Sequence, residues 1–224
     1  MFVEAIRRKD CKFAVEVVND LLQARDPTAG LLTLGYMRER AICVAQDRAK
    51  AKDLYLKAFA RNSNSDAAIR LAALAATDSS PEATGELFWW MRRSARWSEK
   101  SGNQLASNCL PPATDDPEAF VRELGQWDSK LLQHCRFSNG LSALIAVAMG
   151  YPEDAILADA TGEIVIRIAP DASDAQVVRV QGKNVEVLTS WTMMILRDAL
   201  SRVQPPRSPL GIVEIPFAFK IGTP

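Results

Sequence analysis

The sequence predicts an α+β protein, in which an N-terminal α-solenoid of short helical repeats precedes a small β-β-α-β domain with an antiparallel sheet. Three observations predict it. A helical apolar pattern recurs several times within residues 11–96. From Gly150 onward, apolar and polar residues alternate instead. Turn-forming residues, among them Pro111 and Pro112, separate the two regions. We expect helical repeats over residues 1–100, a linker with capping helices over residues 101–149, and the β-rich domain over residues 150–224.

The helical repeat is visible when three stretches are aligned. Each carries apolar residues at i, i+3, i+4 and i+7, the spacing of one helix face. The central stretch is Ala51, Leu54, Tyr55, Ala58 and Phe59; the others are Ala14, Val17, Val18, Leu21 and Leu22 upstream, and Thr84, Leu87, Phe88 and Met91 downstream. Two further matched helices, around Leu31 and Ala68, lie between them. We expect the first helix over residues 4–24 and the last over residues 81–96. Two helices in a unit of about 33 to 40 residues indicate a solenoid.

One unit carries a recognisable residue pattern. Leu34-Gly35-Tyr36 is followed by Val44 and Asp47, and then by Ala51, Leu54, Tyr55, Lys57, Ala58 and Ala60. This run resembles a Sel-one-like repeat, a relative of the tetratricopeptide repeat. It departs from that family before Val44, where Ala41-Ile42-Cys43 replaces a glycine pair. Small residues such as Gly35 let paired helices approach closely. The resemblance implies a protein that works through protein–protein contacts.

The region after the repeats is predicted to connect and cap them. Residues 98–116 read as a linker because of Ser101-Gly102-Asn103 and the prolines that follow. A helix is expected from Asp116 to about Cys135. A break at Ser138-Asn139-Gly140 then leads to a short apolar helix ending at Met149. Such a pair of helices would cover the last hydrophobic face of a solenoid.

The C-terminal region reads as two strands, a helix and a third strand. The strands are expected around Ile164 to Ile168, Val177 to Val180 and residues 212–221, and the helix over residues 185–203. In the last strand Val213, Ile215, Phe217 and Phe219 alternate with more polar positions. Pro216 cannot donate a backbone hydrogen bond on its own side, so this strand is predicted to have a free edge.

This order of elements, introduced by Tyr151-Pro152, resembles the C-terminal domain of the TonB family of periplasmic energy transducers. The residues that carry the resemblance are Tyr151-Pro152, the helix at residues 153–160, residues 162–168, Val178-Arg179-Val180, Gly182, Ala199-Leu200, Pro205-Pro206 and residues 213–219. Val180-Gln181 stands where the family has a serine pair before the glycine. The family's membrane anchor and long proline-rich spacer do not occur in this sequence. The resemblance implies a periplasmic location.

Composition and charge argue against nucleic acid and membranes as partners of this chain. The chain has 27 basic and 27 acidic residues, so no general attraction to nucleic acid or an anionic membrane is expected. No window approaches the roughly 20 apolar residues of a membrane span. The N-terminal residues 1–8 lack the apolar core of a secretory signal, so we expect any signal or anchor to lie outside this chain.

The sequence offers little for catalysis. It contains one histidine, His134, which excludes a histidine cluster for a metal. Its neighbour Cys135 faces a different direction on a helix, which disfavours a Cys–His pair. No GxSxG, P-loop or GxGxxG motif appears. We expect a protein that is not an enzyme and uses no cofactor or metal.

The four cysteines leave two alternatives open. Cys11 and Cys43 lie on or beside neighbouring helices, and Cys109 and Cys135 flank another. None shows the spacing of a metal site. Two disulfides, Cys11–Cys43 and Cys109–Cys135, would suit an oxidising compartment. The alternative is four buried free thiols.

The candidate partner-binding residues are aromatic residues and arginines. Tyr36 and Arg38 would line the groove of the solenoid, and Trp90, Arg93 and Trp97 would form the neighbouring surface, since tryptophan and arginine dominate interaction hot spots. Trp89 and Arg93, at i and i+4, are spaced to form a cation–π pair. The alternative is that these side chains pack against a following helix, which is a common role for aromatic residues in a solenoid.

Taken together, these patterns predict a non-enzymatic periplasmic adaptor or inhibitor that binds one protein partner, either a toxin or an envelope protein. An immunity protein that neutralises a secreted toxin fits this description, since Sel-one-like repeat proteins occur in that role. The alternative is a TonB-type energy transducer fragment that contacts an outer-membrane receptor. A third class is an enzyme with unrecognised carboxylate chemistry.

Overall fold

The structure is a computed structural model, and it describes residues 2–78, 80–94, 109, 111–148, 152–169, 171–206 and 213–219. Among these residues are ten α-helices and three β-strands, and the strands form one antiparallel sheet. The predicted combination of many helices with a small antiparallel sheet is therefore confirmed. The expected boundaries at residues 100 and 149 lie outside the described residues.

Six helices precede residue 94. They are α1 (Phe2–Arg7), α2 (Cys11–Gln23), α3 (Thr28–Arg40), α4 (Arg48–Asn62), α5 (Ser65–Ala76) and α6 (Pro81–Arg93). The prediction of one helix over residues 4–24 was wrong, because the chain turns between α1 and α2. Lys9 has a positive φ of 59°, and the Asp10 carboxylate accepts a hydrogen bond from the Phe13 amide at 3.1 Å. An aspartate at this position starts a helix, so Asp10 begins a new one.

Helices α3 and α4 form an antiparallel hairpin whose spacing depends on one glycine. A Cβ atom at Gly35 would lie 2.8 Å from Cδ1 of Tyr55, which is fully buried on α4. The Tyr55 hydroxyl donates to Glu39 Oε2 at 2.9 Å. Burial, followed by the Glu39 charge, raises the pKa of Tyr55 well above its usual range. The expectation that Gly35 permits close helix approach agrees with this contact.

Two predictions about the next helices were wrong. Instead of one helix from Asp116 to Cys135 and a break at Ser138-Asn139-Gly140, the structure has α7 (Pro117–Leu124) and an uninterrupted α8 (Ser129–Ala148). The break lies at Gly125 to Asp128, where the Asp128 carboxylate accepts hydrogen bonds from the amides of Lys130 and Leu131.

The small residues in the middle of α8 serve packing rather than a turn. A Cβ atom at Gly140 would lie 3.2 Å from Cβ of Ala76 on α5 and 3.0 Å from Cγ2 of Val203. Ser138 and Asn139 are fully buried, and the Asn139 side chain donates to the Cys135 carbonyl at 2.8 Å. Close contact with α5 therefore keeps this segment helical.

The sheet follows a short helix, α9 (Glu153–Leu157). Strand β1 (Thr161–Ile168) lies in the middle, flanked by β2 (Ala175–Lys183) and β3 (Val213–Phe219). Helix α10 (Val185–Arg202) lies between β2 and β3 in the sequence. The β1–β2 register shifts at Val165/Ile166, which leaves Val178 without a partner on β1. Pro216 lies on β3, an edge strand among the described residues, and pairs with Val165 of β1.

The largest hydrophobic cluster includes residues from both the helices and the sheet. It contains Leu87 of α6, Leu141 and Leu144 of α8, Ile164 of β1 and Leu196 of α10. The helical part and the sheet therefore share buried apolar surface instead of burying two separate cores.

Two disulfides link parts of the chain that are distant in sequence. Cys11 at the start of α2 bonds Cys43 in the α3–α4 connection, and Cys109 bonds Cys135 of α8. Of the two alternatives for the cysteines, the structure has the paired one, and no cysteine is free. Within the described ranges, no helix is both long enough and apolar enough to cross a bilayer.

Candidate partner-binding groove

Helix α6 supplies the first wall of the candidate site. The Ser80 hydroxyl accepts a hydrogen bond from the Ala83 amide, and Pro81 occupies the first turn, where its missing amide proton costs nothing. The helix buries Leu87, Phe88 and Met91 in the core, as their spacing predicts. Trp89 and Arg93 lie on another side of the same helix, outside this buried stripe.

Arg93 is held over the ring of Trp89. Its guanidinium carbon lies 3.3 Å from the ring centroid, which is the cation–π pair that the i, i+4 spacing predicts. Arg93 Nη2 also lies 3.1 Å from Oδ1 of Asp115, the residue two positions before α7. Burial lowers the pKa of the Arg93 guanidinium, while the Asp115 charge acts in the opposite direction. Arg93 is thus a fixed element at the C-terminal end of α6.

The neighbouring Arg92 fixes the approach to α7. Its Nη1 donates to the Pro112 carbonyl at 2.8 Å. The pair of arginines therefore holds residues 112 and 115 beside the end of α6. This placement brings the start of α7 next to Trp89.

Helix α7 supplies the second wall. It begins after Asp116, whose carboxylate accepts a hydrogen bond from the Glu118 amide at 3.0 Å. Phe120 and Leu124 are buried, whereas Val121 is 63% exposed. The Phe120 ring meets the Trp89 ring edge to face, with centroids 5.2 Å apart. The two helices therefore touch at Trp89 and Phe120.

Between the two helices runs an open apolar groove of about 520 Å³, which we call the α6–α7 groove. Its lining is Glu82, Thr84, Gly85, Glu86, Trp89, Pro117, Phe120, Val121, Leu124, Gly125 and Leu132. Underneath, the Cys109–Cys135 disulfide packs in one cluster with Phe88, Phe120 and Leu124. The disulfide therefore ties the chain before α7 to α8 and supports the groove.

The structure does not bring the residues predicted from the sequence as partner-binding together at one site. Arg93 borders the α6–α7 groove through its stacking on Trp89. Trp90 is partly buried and meets Phe59 of α4 edge to face, at 5.1 Å between centroids. It packs between helices, and it does not line the groove. Trp97 lies outside the described residues.

Tyr36 and Arg38, both on α3, contact residues in other parts of the chain. The Arg70 guanidinium lies 5.1 Å from the Tyr36 ring centroid, and Arg38 Nη1 donates to the Ala45 carbonyl at 3.2 Å. These contacts involve none of the residues that line the α6–α7 groove. The structure thus does not bring Tyr36 and Arg38 together with Arg93 into one contact network.

None of the described residues predicted from the sequence as partner-binding is in the lining of the groove, and Gly85, Phe120, Val121 and Leu124 were missed as a set. Two signals were present. Val121 adds an exposed apolar residue beside the buried stripe of α7, and Gly85 adds a glycine inside a helix that does not need one for close packing. A Cβ atom at Gly85 would meet nothing within 4 Å.

The groove lining is mainly apolar. Its charged lining residues are Glu82 and Glu86, and Glu86 is paired with Lys52 Nζ at 2.7 Å. Nowhere in the described part of the chain do three or more His, Cys, Asp or Glu residues form a group suited to a metal ion. Comparison of the chain with protein-family models, curated proteins and solved structures found no match.

Proposed function

We propose that this chain is a non-enzymatic protein-binding adaptor or inhibitor, and that the α6–α7 groove holds its partner. The groove itself is the observation that carries this proposal. It combines an apolar lining with Trp89 and, beside it, the fixed Arg93, two of the residue types enriched in interaction hot spots. It also contains Phe120, an aromatic type enriched at interfaces. Concave sites lined mainly by apolar and aromatic side chains are a common form of binding site.

The proposed compartment is the bacterial periplasm. Both pairs of cysteines are joined as disulfides, and such bonds persist in oxidising environments. The Cys109–Cys135 bond supports the groove itself, so the proposed binding site depends on oxidation. We propose a periplasmic immunity protein that blocks a secreted toxin as the role, and the disulfide-bonded chain with its groove supports this proposal.

We also propose that the chain contains a short Sel-one-like solenoid followed by a domain similar to the TonB C-terminal domain. The hairpins α3–α4 and α5–α6 follow each other with matched helices, which supports a short Sel-one-like solenoid. The order β1, β2, α10 and β3 with an antiparallel sheet supports a domain similar to that of TonB. Both likenesses favour work through protein contacts.

The second candidate is a TonB-type transducer fragment that adds a strand of an outer-membrane receptor to its sheet. The observation in its favour is that β2 and β3 are both edge strands among the described residues. Against it, Pro216 lacks a donor on β3 and the bulge at Val178 disturbs β2, and both features discourage added strands. The α6–α7 groove carries the stronger case.

The test is site-specific photo-cross-linking in the periplasm of the native host. A photoreactive amino acid replaces Val121 in the groove or, as a control, Met194 on α10, which is 61% exposed and lies on no groove wall. We expect one cross-linked protein from position 121 and none from position 194. Absence of a cross-link from position 121, or an equal one from position 194, would contradict the proposed function.

A further inference from the structure

The two walls of the α6–α7 groove present helical stripes of equal length. On α6 the lining contains Thr84 and a stripe formed by Glu82, Gly85, Glu86 and Trp89, and on α7 the stripe is Pro117, Phe120, Val121 and Leu124. Each set falls at i, i+3, i+4 and i+7, which is one face of a helix over two turns. At 1.5 Å per residue, each wall extends about 10 Å along its helix axis.

One end of the groove is closed and its middle is open. The edge-to-face contact of Trp89 with Phe120 closes the end nearest Arg93. Further along, Gly85 provides no side chain, and a Cβ atom there would meet nothing within 4 Å. Leu132 of α8 contributes to the lining between the walls. The groove therefore has space for apolar side chains of another molecule.

The backbone hydrogen bonds of α6 and α7 limit which kind of segment can bind in the groove. The amides and carbonyls in the middle of α6 and α7 are used within their own helices, so the walls offer no ladder of free hydrogen-bonding groups. A β-strand would therefore find no row of free backbone groups to pair with on either wall. A helix satisfies its backbone internally and can bury side chains alone.

The charges at the groove favour a basic occupant. Glu82 and Glu86 are the charged residues of the lining, and both lie on the α6 wall. Lys52 neutralises Glu86 in part, whereas Glu82 is exposed. The nearest arginine on α6, Arg93, is already stacked on Trp89 and paired with Asp115. Arg136 of α8 also lies beside the lining, where it donates to the Thr84 hydroxyl, and it donates in addition to the Asp78 carbonyl. Glu82 is therefore the lining carboxylate that has no ion pair among the described residues.

We infer that the occupant of the α6–α7 groove is an amphipathic helix of the partner protein, with an apolar stripe at i, i+3, i+4 and i+7 and flanking lysine or arginine residues. This inference rests on the proposed function and names the class of partner segment. The apolar stripe enters the space beside Gly85 and Val121, and the basic residues face Glu82 and Glu86.

The test uses two synthetic peptides about 15 residues long, the length at which an isolated helix becomes marginally stable. Both carry leucine at the stripe positions; the remaining positions are mainly lysine in one peptide and glutamate in the other. Binding to the full chain is measured by fluorescence anisotropy of labelled peptide. Gly85→Phe places a phenyl ring in the groove, and Gly85→Ala is its matched control because a methyl group there meets nothing.

We expect the lysine peptide to bind the native chain and Gly85→Ala equally. Binding to Gly85→Phe should be at least about tenfold weaker, with circular dichroism unchanged. The glutamate peptide should bind at least tenfold more weakly than the lysine peptide. Glu82→Gln should weaken the lysine peptide about two- to fivefold, the range of a single exposed charge pair.

Several outcomes would overturn the inference: equal affinity for both peptides, affinity that Gly85→Phe leaves unchanged, or no binding of either peptide. Self-association of the chain that Gly85→Phe abolishes, seen by sedimentation velocity, would make a second copy the occupant and would also overturn it. If position 121 still cross-links a host protein while the peptides fail, the helix inference falls and the proposed function stands.

Discussion

Gly35 on α3 and Gly85 on α6 have opposite surroundings although both lie inside helices. At Gly35 an added methyl group would overlap the ring of Tyr55, so the glycine sets the distance between α3 and α4. At Gly85 an added methyl group would meet nothing and would point into the α6–α7 groove. Gly35 therefore serves packing, whereas Gly85 leaves the groove open and costs helix stability.

The same substitution at the two glycines should consequently have opposite effects. Gly85→Ala should raise the free energy of unfolding by about 1 kcal/mol, the difference in helix propensity between alanine and glycine. Gly35→Ala should lower it by about 1 to 3 kcal/mol, because overpacking outweighs the propensity gain. Urea unfolding of both variants provides the measurement. Equal shifts of the two midpoints in one direction would contradict these packing roles.

At the residue scale, side-chain contacts within one helix could be predicted from the sequence, because they depend only on residue spacing. The Trp89–Arg93 pair follows from positions one helical turn apart, and the structure contains it. The Trp89–Phe120 contact depends on where α7 lies relative to α6, which Arg92, Arg93 and the Cys109–Cys135 disulfide determine together. No local pattern contains that information, so the groove was not predictable as a site.

At the element scale, helix starts and helix packing explain where the predictions were right and wrong. Asp10 and Asp128 each accept backbone hydrogen bonds and begin a helix, and the apolar spacing that predicts the helices contains neither signal. In contrast, Ser138-Asn139-Gly140 has the composition of a turn but lies inside α8. The tight contacts of Gly140 with Ala76 and Val203 outweigh its local preference.

Ser138 provides a test of the continuous α8. Its hydroxyl is fully buried and has no hydrogen-bond partner among the described residues. Ser138→Ala should therefore raise the free energy of unfolding by about 1 kcal/mol or more, since it removes an unpaired polar group and favours the helix. The control Ser190→Ala, on an exposed face of α10, should gain only the helix propensity, about 0.5 kcal/mol. A loss of stability in Ser138→Ala would indicate a hydrogen bond or turn that this fold lacks.

At the scale of the whole molecule, the hydrophobic core joins the regions that the sequence divided. Leu87 and Leu141 from the helices share a cluster with Ile164, Leu196 and Phe217 from the sheet and α10. Helical and period-two spacing predicted the combination of many helices with a small antiparallel sheet. Which faces pack against each other depends on long-range contacts, and a single sequence does not encode these in any local pattern.

Unfolding of the intact chain should therefore be cooperative. Thermal unfolding followed by far-ultraviolet circular dichroism and by tryptophan fluorescence should give coincident transitions, because separating the sheet from α8 exposes the shared cluster. Two resolved transitions would instead indicate that residues 1–149 and 150–224 fold as independent domains.

The central claim is that the α6–α7 groove binds the protein partner, and calorimetry tests it most directly. The partner cross-linked through position 121 is purified and titrated into the native chain, Gly85→Ala and Gly85→Phe. We predict equal affinity for the native chain and Gly85→Ala, and a loss of at least about tenfold, or 1.4 kcal/mol, for Gly85→Phe with an unchanged circular dichroism spectrum. Native affinity in a folded Gly85→Phe variant would contradict the claim.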